Sequence, residues 1–344
     1  MKNIILASGN ESCGEGAIQS GCRFYAGYPI TPQNELTEYM AKRIKEVGGT
    51  FIQAESEISS INMVFGASVT GALVMTSSSS PGISLKQEGI SYCAGCELPA
   101  VIVNMMRGGP GLGNIASAQG DYFQATRGGG HGDYRTITLA PSSVQEMYGL
   151  MYDAFYLAVK YRTPVIVLGD SILAQMIEPL EIKKFKSIKI DKEWILDGCK
   201  NRKPRIIRSL LLKPDELENL NLRLQGRYRE IEKKEIRFEA DIKNGTQTLV
   251  VSFGTVSRIC KAVVEDARKK GINAGWFRPI TLWPFPRSFL RKISEKVKKI
   301  VVVEMNAGQM LEDIKISVEG RCAIEFYGRM GGNIPDEKQV LRLL

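Results

Sequence analysis

From Arg23 to Asp170 the sequence alternates two kinds of segment, and that alternation limits the folds open to it more than any composition value does. Short runs rich in β-branched and aromatic residues, RFYAGY, TFIQAE, GALVMTS, PAVIVNMM, TITLAP and PVIVLGD, read as strands. The stretches between them, TPQNELTEYMAKRIKEV, SEISSINMVFGASVTG, SLKQEGISYCAGCEL and SVQEMYGLMYDAFYLAVKY, space their apolar residues as helices do. Strands that are apolar almost throughout, and not merely at every second residue, must be covered on both faces. The pattern predicts an α/β fold with a mainly parallel sheet between helical layers.

The rhythm breaks after residue 182 and returns at Thr246 with TLVVSFGT, SRICKAVVEDARKKG, NAGWFRPI, PRSFLRKISEKVKK, KIVVVEMN, GQMLEDIKISV and CAIEFYGR. At 344 residues the chain is also longer than one ordinary core encloses. We therefore read an α/β domain over 1–182, a basic linker or arm over 183–245 and a smaller α/β domain over 246–344.

Hydrophobic residues at 44% and charged residues at 24% are ordinary for a globular chain. No run approaches the roughly 20 apolar residues of a membrane span, and the N-terminus lacks a basic segment leading into an apolar core. A cytoplasmic location without membrane association is expected. The seven cysteines are scattered, as free thiols are. Cys93 and Cys96 form a CxxC, but with no second pair or Cys–His cluster we read them as small helical residues and expect no metal site. The net charge of +9 gathers between Lys183 and Arg237. Aromatics do not interleave with those basic residues, so a solvated connection or a docking surface is expected there, not a nucleic-acid site.

In open α/β sheets ligands gather beyond the carboxyl ends of the strands. After RFYAGY, Pro29 and Pro32 fix φ on either side of Ile30 and Thr31, which turns the Thr31 hydroxyl toward the crevice or uses Thr31 or Asn34 as a helix cap. After TFIQA, Glu55 and Glu57 open a helix, where carboxylates are common for dipole reasons and where a buried one would have a raised pKa. Ser77 to Gly82 either caps the next helix or offers main-chain amides to an anion. Arg107, followed by a glycine-rich run through Gly113, can approach a carboxylate or phosphate and grip it with two parallel hydrogen bonds. His131, the only histidine, is a general base or simply exposed on a flexible loop.

Taken together, GYPITPQNE, QAESEISSINMVFGAS, TSSSSPGISLKQEGISY, VIVNMMRGGPG, HGDYR and LAPSSVQEM closely resemble the α subunit of the 2-oxoacid:ferredoxin oxidoreductases. VEMNAGQM and YGRMGGNIP extend the resemblance over nearly the whole chain. It is strongest to the branched-chain, 2-oxoisovalerate (3-methyl-2-oxobutanoate) enzyme, with the 2-oxoglutarate enzyme next.

The resemblance implies a thiamine-diphosphate enzyme that decarboxylates a 2-oxoacid oxidatively, with coenzyme A as co-substrate, and reduces ferredoxin. It implies a pyrimidine-binding domain followed by a transketolase C-terminal-like domain. A β subunit would hold the diphosphate and Mg²⁺, and γ and small ferredoxin-like δ partners would complete the assembly, with 4Fe-4S clusters confined to partner subunits. Glu57 matches the carboxylate that favours the imino tautomer of the coenzyme ring, with Glu55 as the alternative. Tyr28, Pro29 and Ile30 match the coenzyme-contacting loop, Thr31 and Arg107 the substrate-binding positions. His131 and Asp133 lie near a family signature without an assigned step. GDSILAQ at 169–175 lacks the GDG…N of a metal–diphosphate site, so the chain alone is expected to be inactive. A 2-oxoglutarate-specific subunit, or a non-catalytic scaffold or nucleotide-binding subunit, are the competing readings.

Overall fold

The computed structural model describes residues 4–344. Its first part contains β1 (Ile4–Ser8), α1 (Gly9–Gln19), β2 (Phe24–Gly27), α2 (Asn34–Glu46), β3 (Thr50–Gln53) and α3 (Glu57–Ser68). β4 (Val74–Ser78), α4 (Ser80–Gly95), β5 (Ala100–Met106), α5 (Tyr122–Arg127), β6 (Ile137–Leu139) and α6 (Val144–Tyr161) follow. β7 (Pro164–Asp170), α7 (Ser171–Gln175) and β8 (Ile177–Glu181) then lead to α8 (Pro214–Lys234) and β9 (Phe238–Asp241). The remainder holds β10 (Thr248–Val251), α9 (Val256–Lys269), β11 (Ala274–Pro279), β12 (Thr281–Trp283) and α10 (Arg287–Ser294). It ends with β13 (Lys299–Glu304), α11 (Gln309–Val318), β14 (Ala323–Gly328) and α12 (Glu337–Arg342).

Two mostly parallel sheets bear out the α/β class. One is seven-stranded in the order β12-β6-β7-β5-β4-β2-β3, the other five-stranded in the order β14-β13-β10-β11-β9. Every residue of β4, β5 and β7 is buried, as strands covered on both faces require, whereas β3 at the edge is half exposed. The antiparallel exceptions are at edges: β9 pairs with β11, and β12 pairs with β6.

Three features depart from the sequence pattern. β1 and β8 form a separate antiparallel pair, and α1, which follows β1, packs against α6 and α2. α1 was not expected because glycines interrupt it, but they serve contact: a Cβ on Gly14 would lie 2.5 Å from the Tyr39 ring and one on Gly16 2.7 Å from the Tyr148 carbonyl. The segment read as linker or arm contains a 21-residue helix, α8, whose charges hide one apolar stripe of Leu220, Leu224, Tyr228 and Ile231. That stripe meets β12, where the Tyr228 ring lies edge-on to Trp283 at 5.7 Å, and beside it Arg223 ties α8 to the first part by donating to Glu97 at 2.9 Å.

β12, although it follows β11 of the second sheet, completes the first by pairing Thr281 with Leu139 and Trp283 with Thr138. Beside that crossing the buried Arg278 holds the Glu146 carboxylate through two hydrogen bonds of 2.8 Å. No helix among the described residues is long and apolar enough to cross a membrane.

Candidate active site

β3 lies on one side of β2, and β4 with β5 on the other, so the strand order reverses between β2 and β4. Such a switch point opens a crevice beyond the strand ends. The loops after β2, β3, β4 and β5 meet there.

The loop after β2 is fastened at its base by Gln33, which is fully buried. Its amide nitrogen donates to the Tyr28 carbonyl at 3.1 Å, while its amide oxygen accepts from Ser77 at 2.5 Å and from Thr37 at 3.1 Å. Asn10 donates to the Pro32 carbonyl at 2.8 Å. Tyr28 and Pro29 remain exposed and Ile30 and Thr31 half-buried above this base. The helix cap read into Thr31 or Asn34 is not formed: Gln33 occupies the N-cap of α2 without a capping side-chain bond. The Thr31 hydroxyl is only 3.4 Å from the Asn34 amide nitrogen, which leaves it capacity for another partner.

Glu55 and Glu57 part company. Glu55 points outward, and a 2.6 Å hydrogen bond from the Ser59 hydroxyl holds its carboxyl below the ordinary value. Glu57, in the first turn of α3, is 5% exposed and turned inward. Among the described residues its carboxylate accepts one long hydrogen bond, 3.4 Å from the Ser78 hydroxyl. A buried carboxylate with so little internal satisfaction retains acceptor capacity for a donor from outside the chain. Gly82 makes its position possible, since a Cβ there would lie 2.4 Å from Glu57 Oε1.

Lys86 lies fully buried beneath the same turn. Its ammonium donates to the Glu57 carbonyl at 3.3 Å, to Thr76 Oγ1 at 3.0 Å and to Ser60 Oγ. Burial pushes this amine down to about 7, partly opposed by the Glu57 charge.

The serine segment is not an anion cradle. Ser80 N donates to Asn104 Oδ1 at 3.1 Å and Ser80 Oγ to Asp121 at 2.6 Å, so the start of α4 is committed within the chain. Arg107, 8% exposed, donates from Nη1 to the Thr31 carbonyl at 3.0 Å and from Nη2 to the Leu112 carbonyl at 3.1 Å. Its Nε has no partner, and no carboxylate pairs with it among the described residues. A buried guanidinium held only by carbonyls keeps both a positive charge and free donors.

His131 is not brought to this cluster. It is exposed on the loop between α5 and β6, alongside Ser91 and Gly95 of α4 and Leu217 and Asn221 of α8, with Gln225 donating to the Asp133 carbonyl at 2.6 Å. Cys93 and Cys96 both end up buried at the end of α4, where burial pushes the Cys93 thiol up to about 12. Among the described residues no group of three His, Cys, Asp or Glu side chains is placed to hold a metal ion. Asp170 of GDSILAQ caps α7 through Leu173 N at 3.0 Å and accepts from Thr255 at 2.5 Å.

Sequence reasoning did not single out Gln33 or Lys86, and took Gly82 only as the end of the serine-rich loop. The one available signal was Lys86, a lysine among the small and apolar residues of an otherwise buried helix face.

Residues 15–221 match the thiamine diphosphate-binding domain of pyruvate flavodoxin/ferredoxin oxidoreductases, and residues 246–340 match core domain II of pyruvate:ferredoxin oxidoreductase. The chain belongs to the 2-oxoacid:ferredoxin oxidoreductase family. Within that family it is 48% identical to the ketoisovalerate oxidoreductase subunit VorB of Methanothermobacter thermautotrophicus, over 98% of this chain and 96% of that one. It is 40% identical to the 2-oxoglutarate synthase subunit KorA of Archaeoglobus fulgidus, over 97% of each. The solved 2-oxoglutarate:ferredoxin oxidoreductase of Magnetococcus marinus, determined with 2-oxoglutarate, coenzyme A and succinyl-CoA bound, superposes with a TM-score of 0.92 at 27% identity. That likeness covers 99% of this chain but 65% of the other, so the present chain spans about two thirds of it. Glu57, Thr31, Lys86 and Arg107 all fall within the part that matches the family's thiamine diphosphate-binding domain.

Proposed function

We propose that this chain is the pyrimidine-holding subunit of a branched-chain 2-oxoacid:ferredoxin oxidoreductase. The reaction converts 2-oxoisovalerate and coenzyme A to the acyl-CoA and CO2, and passes two electrons to ferredoxin. The observation that carries this reading is the buried Glu57 carboxylate, short of hydrogen bonds and set in the first turn of α3, just beyond β3 at the switch point.

Bound thiamine diphosphate would supply an electron sink for decarboxylation. The chain's own part is to hold and orient. Glu57 offers its carboxylate to a ring nitrogen of the aminopyrimidine, and Gly82 keeps room for that carboxylate. Tyr28, Pro29 and Ile30 lie on the ring-contacting loop that Gln33 fastens. The Thr31 hydroxyl and the free donors of Arg107 receive the substrate carboxylate, and the low-dielectric setting strengthens that attraction.

The commitment of Asp170 to α7 and Thr255 supports assigning Mg²⁺ and the diphosphate to a β subunit. Clusters, γ and δ subunits and ferredoxin docking likewise belong to partners, in a cytoplasmic complex. For the substrate, the higher identity to a ketoisovalerate oxidoreductase subunit, 48%, than to a 2-oxoglutarate synthase subunit, 40%, favours a branched chain over a second carboxylate.

The test is coenzyme A-dependent dye reduction by the purified complex with 2-oxoisovalerate, 2-oxoglutarate and pyruvate side by side. The highest kcat/KM is expected with 2-oxoisovalerate. A higher value with 2-oxoglutarate would overturn the substrate assignment, and full turnover by Glu57→Ala would overturn the catalytic one.

A further inference from the structure

The ammonium of Lys86 has three donors and meets three oxygens: the Glu57 carbonyl, Thr76 Oγ1 and Ser60 Oγ. None of these is charged. The ionisable groups on the surrounding elements are otherwise engaged or absent. α3 carries Glu57 alone, and β4 and β5 carry none. Tyr25 of β2 is bonded to Ser77 and Thr37, Asp121 to Ser80 and Asn104, Asp170 of β7 to Thr255, and Glu88 of α4 to Tyr92 at the surface. The charge left to interact with Lys86 is that of Glu57.

We propose that Lys86 is a positioning residue for the reaction assigned to Glu57: its hydrogen bond to the Glu57 carbonyl fixes the first turn of α3, and its charge favours the ionised carboxylate that meets the coenzyme ring. The inference rests on the reading of Glu57 given above. An ammonium buried in an apolar helix face is costly unless its charge is used. Here the hydrogen bond runs to the main chain of the very residue whose charge acts on the ammonium, so geometry and charge meet at one residue. Burial pushes Lys86 down to about 7 and the Glu57 charge opposes that fall, so removing the carboxylate lowers it further. The coupling is reciprocal, because the effect of one charge on the other's proton affinity is a single free energy.

The experiment uses the assembled complex and the full chain. In Lys86→Met the acid limb of the kcat–pH profile should move upward by about one unit, and the calorimetric Kd for thiamine diphosphate should rise about tenfold, with KM for the oxoacid within about twofold. Lys86→Gln, which retains a donor for the Glu57 carbonyl, should recover part of the coenzyme affinity but not the pH limb. Independently, the amine of Lys86 in full-length chain carrying 15N-labelled lysine should titrate lower in Glu57→Gln than in the wild type. That measurement decides the matter if Lys86→Met fails to assemble. An unmoved pH limb in both variants, or an unmoved Lys86 titration in Glu57→Gln, overturns the role of Lys86 while leaving Glu57 in place. Wild-type turnover by Glu57→Gln would instead remove the reading on which it rests.

Discussion

Arg107 donates to the Thr31 carbonyl at 3.0 Å across 76 residues of sequence, and with its other terminal nitrogen it holds the Leu112 carbonyl. One planar group therefore ties the loop after β2 to the glycine-rich loop after β5. The substrate contact proposed for Thr31 and the one proposed for Arg107 are set by the same hydrogen bond.

Replacing Arg107 by lysine keeps the charge and removes the fork, since a single ammonium cannot reproduce two fixed donors and leave others free. Steady-state kinetics of the complex should show kcat/KM for the oxoacid falling about a hundredfold. A loss under about threefold would mean that charge alone is needed there.

Glu57→Gln preserves shape and removes the ionisable group. The melting temperature should stay close to that of the wild type while kcat falls by about 10²–10⁴-fold. Calorimetry and dye-reduction assays on the same preparation separate the two.

Gly82→Ala places a methyl group 2.4 Å from Glu57 Oε1 and 2.1 Å from Ser78 Oγ. Both are ends of side chains, so the fold accommodates the change by turning the carboxylate aside. Helix propensity offsets part of the cost, by about 0.5–1 kcal/mol. Activity should fall about tenfold or more with little change in unfolding midpoint, in contrast to an ordinary core overpacking.

Lys86 gives stability a definite pH dependence. Its folded-state value of about 7 lies below the 10.5 of the unfolded chain, so the unfolded state binds more protons between those limits. Stability from this group is therefore present above 10.5 and is lost as pH falls through 7. Relative to Lys86→Met, the wild type should gain of the order of 3–5 kcal/mol between pH 7 and 10.5, measured by urea unfolding.

What the sequence revealed of this fold follows from where each signal is written. β5 and β7 announce themselves because a strand buried on both faces is apolar at nearly every residue, and β4 only through its first half, since Thr76 to Ser78 are buried polar residues. α8 does not, because its four buried residues are spread through a strongly charged stretch and acquire meaning only against Trp283 and Glu97. α1 is obscured by glycines that exist for contact with Tyr39 and Tyr148. At the site, position after a strand drew attention to Glu55, Glu57 and Arg107 alike, and only the family resemblance preferred Glu57 to Glu55. Lys86 drew none, since its meaning depends on a carbonyl 29 residues earlier. That Arg107 would hold main-chain oxygens of two loops was likewise invisible, because no side chain records it.

The crossing of β12 into the first sheet bears on how this subunit can be taken apart. A fragment ending before Thr281 would leave β6 with an open edge, the kind of surface that recruits stray strands and aggregates. Chimaeras that exchange halves between relatives of different oxoacid preference must therefore carry Thr281–Trp283 with the half that owns β6, and the natural cut for such grafts is not the gap in the sequence pattern.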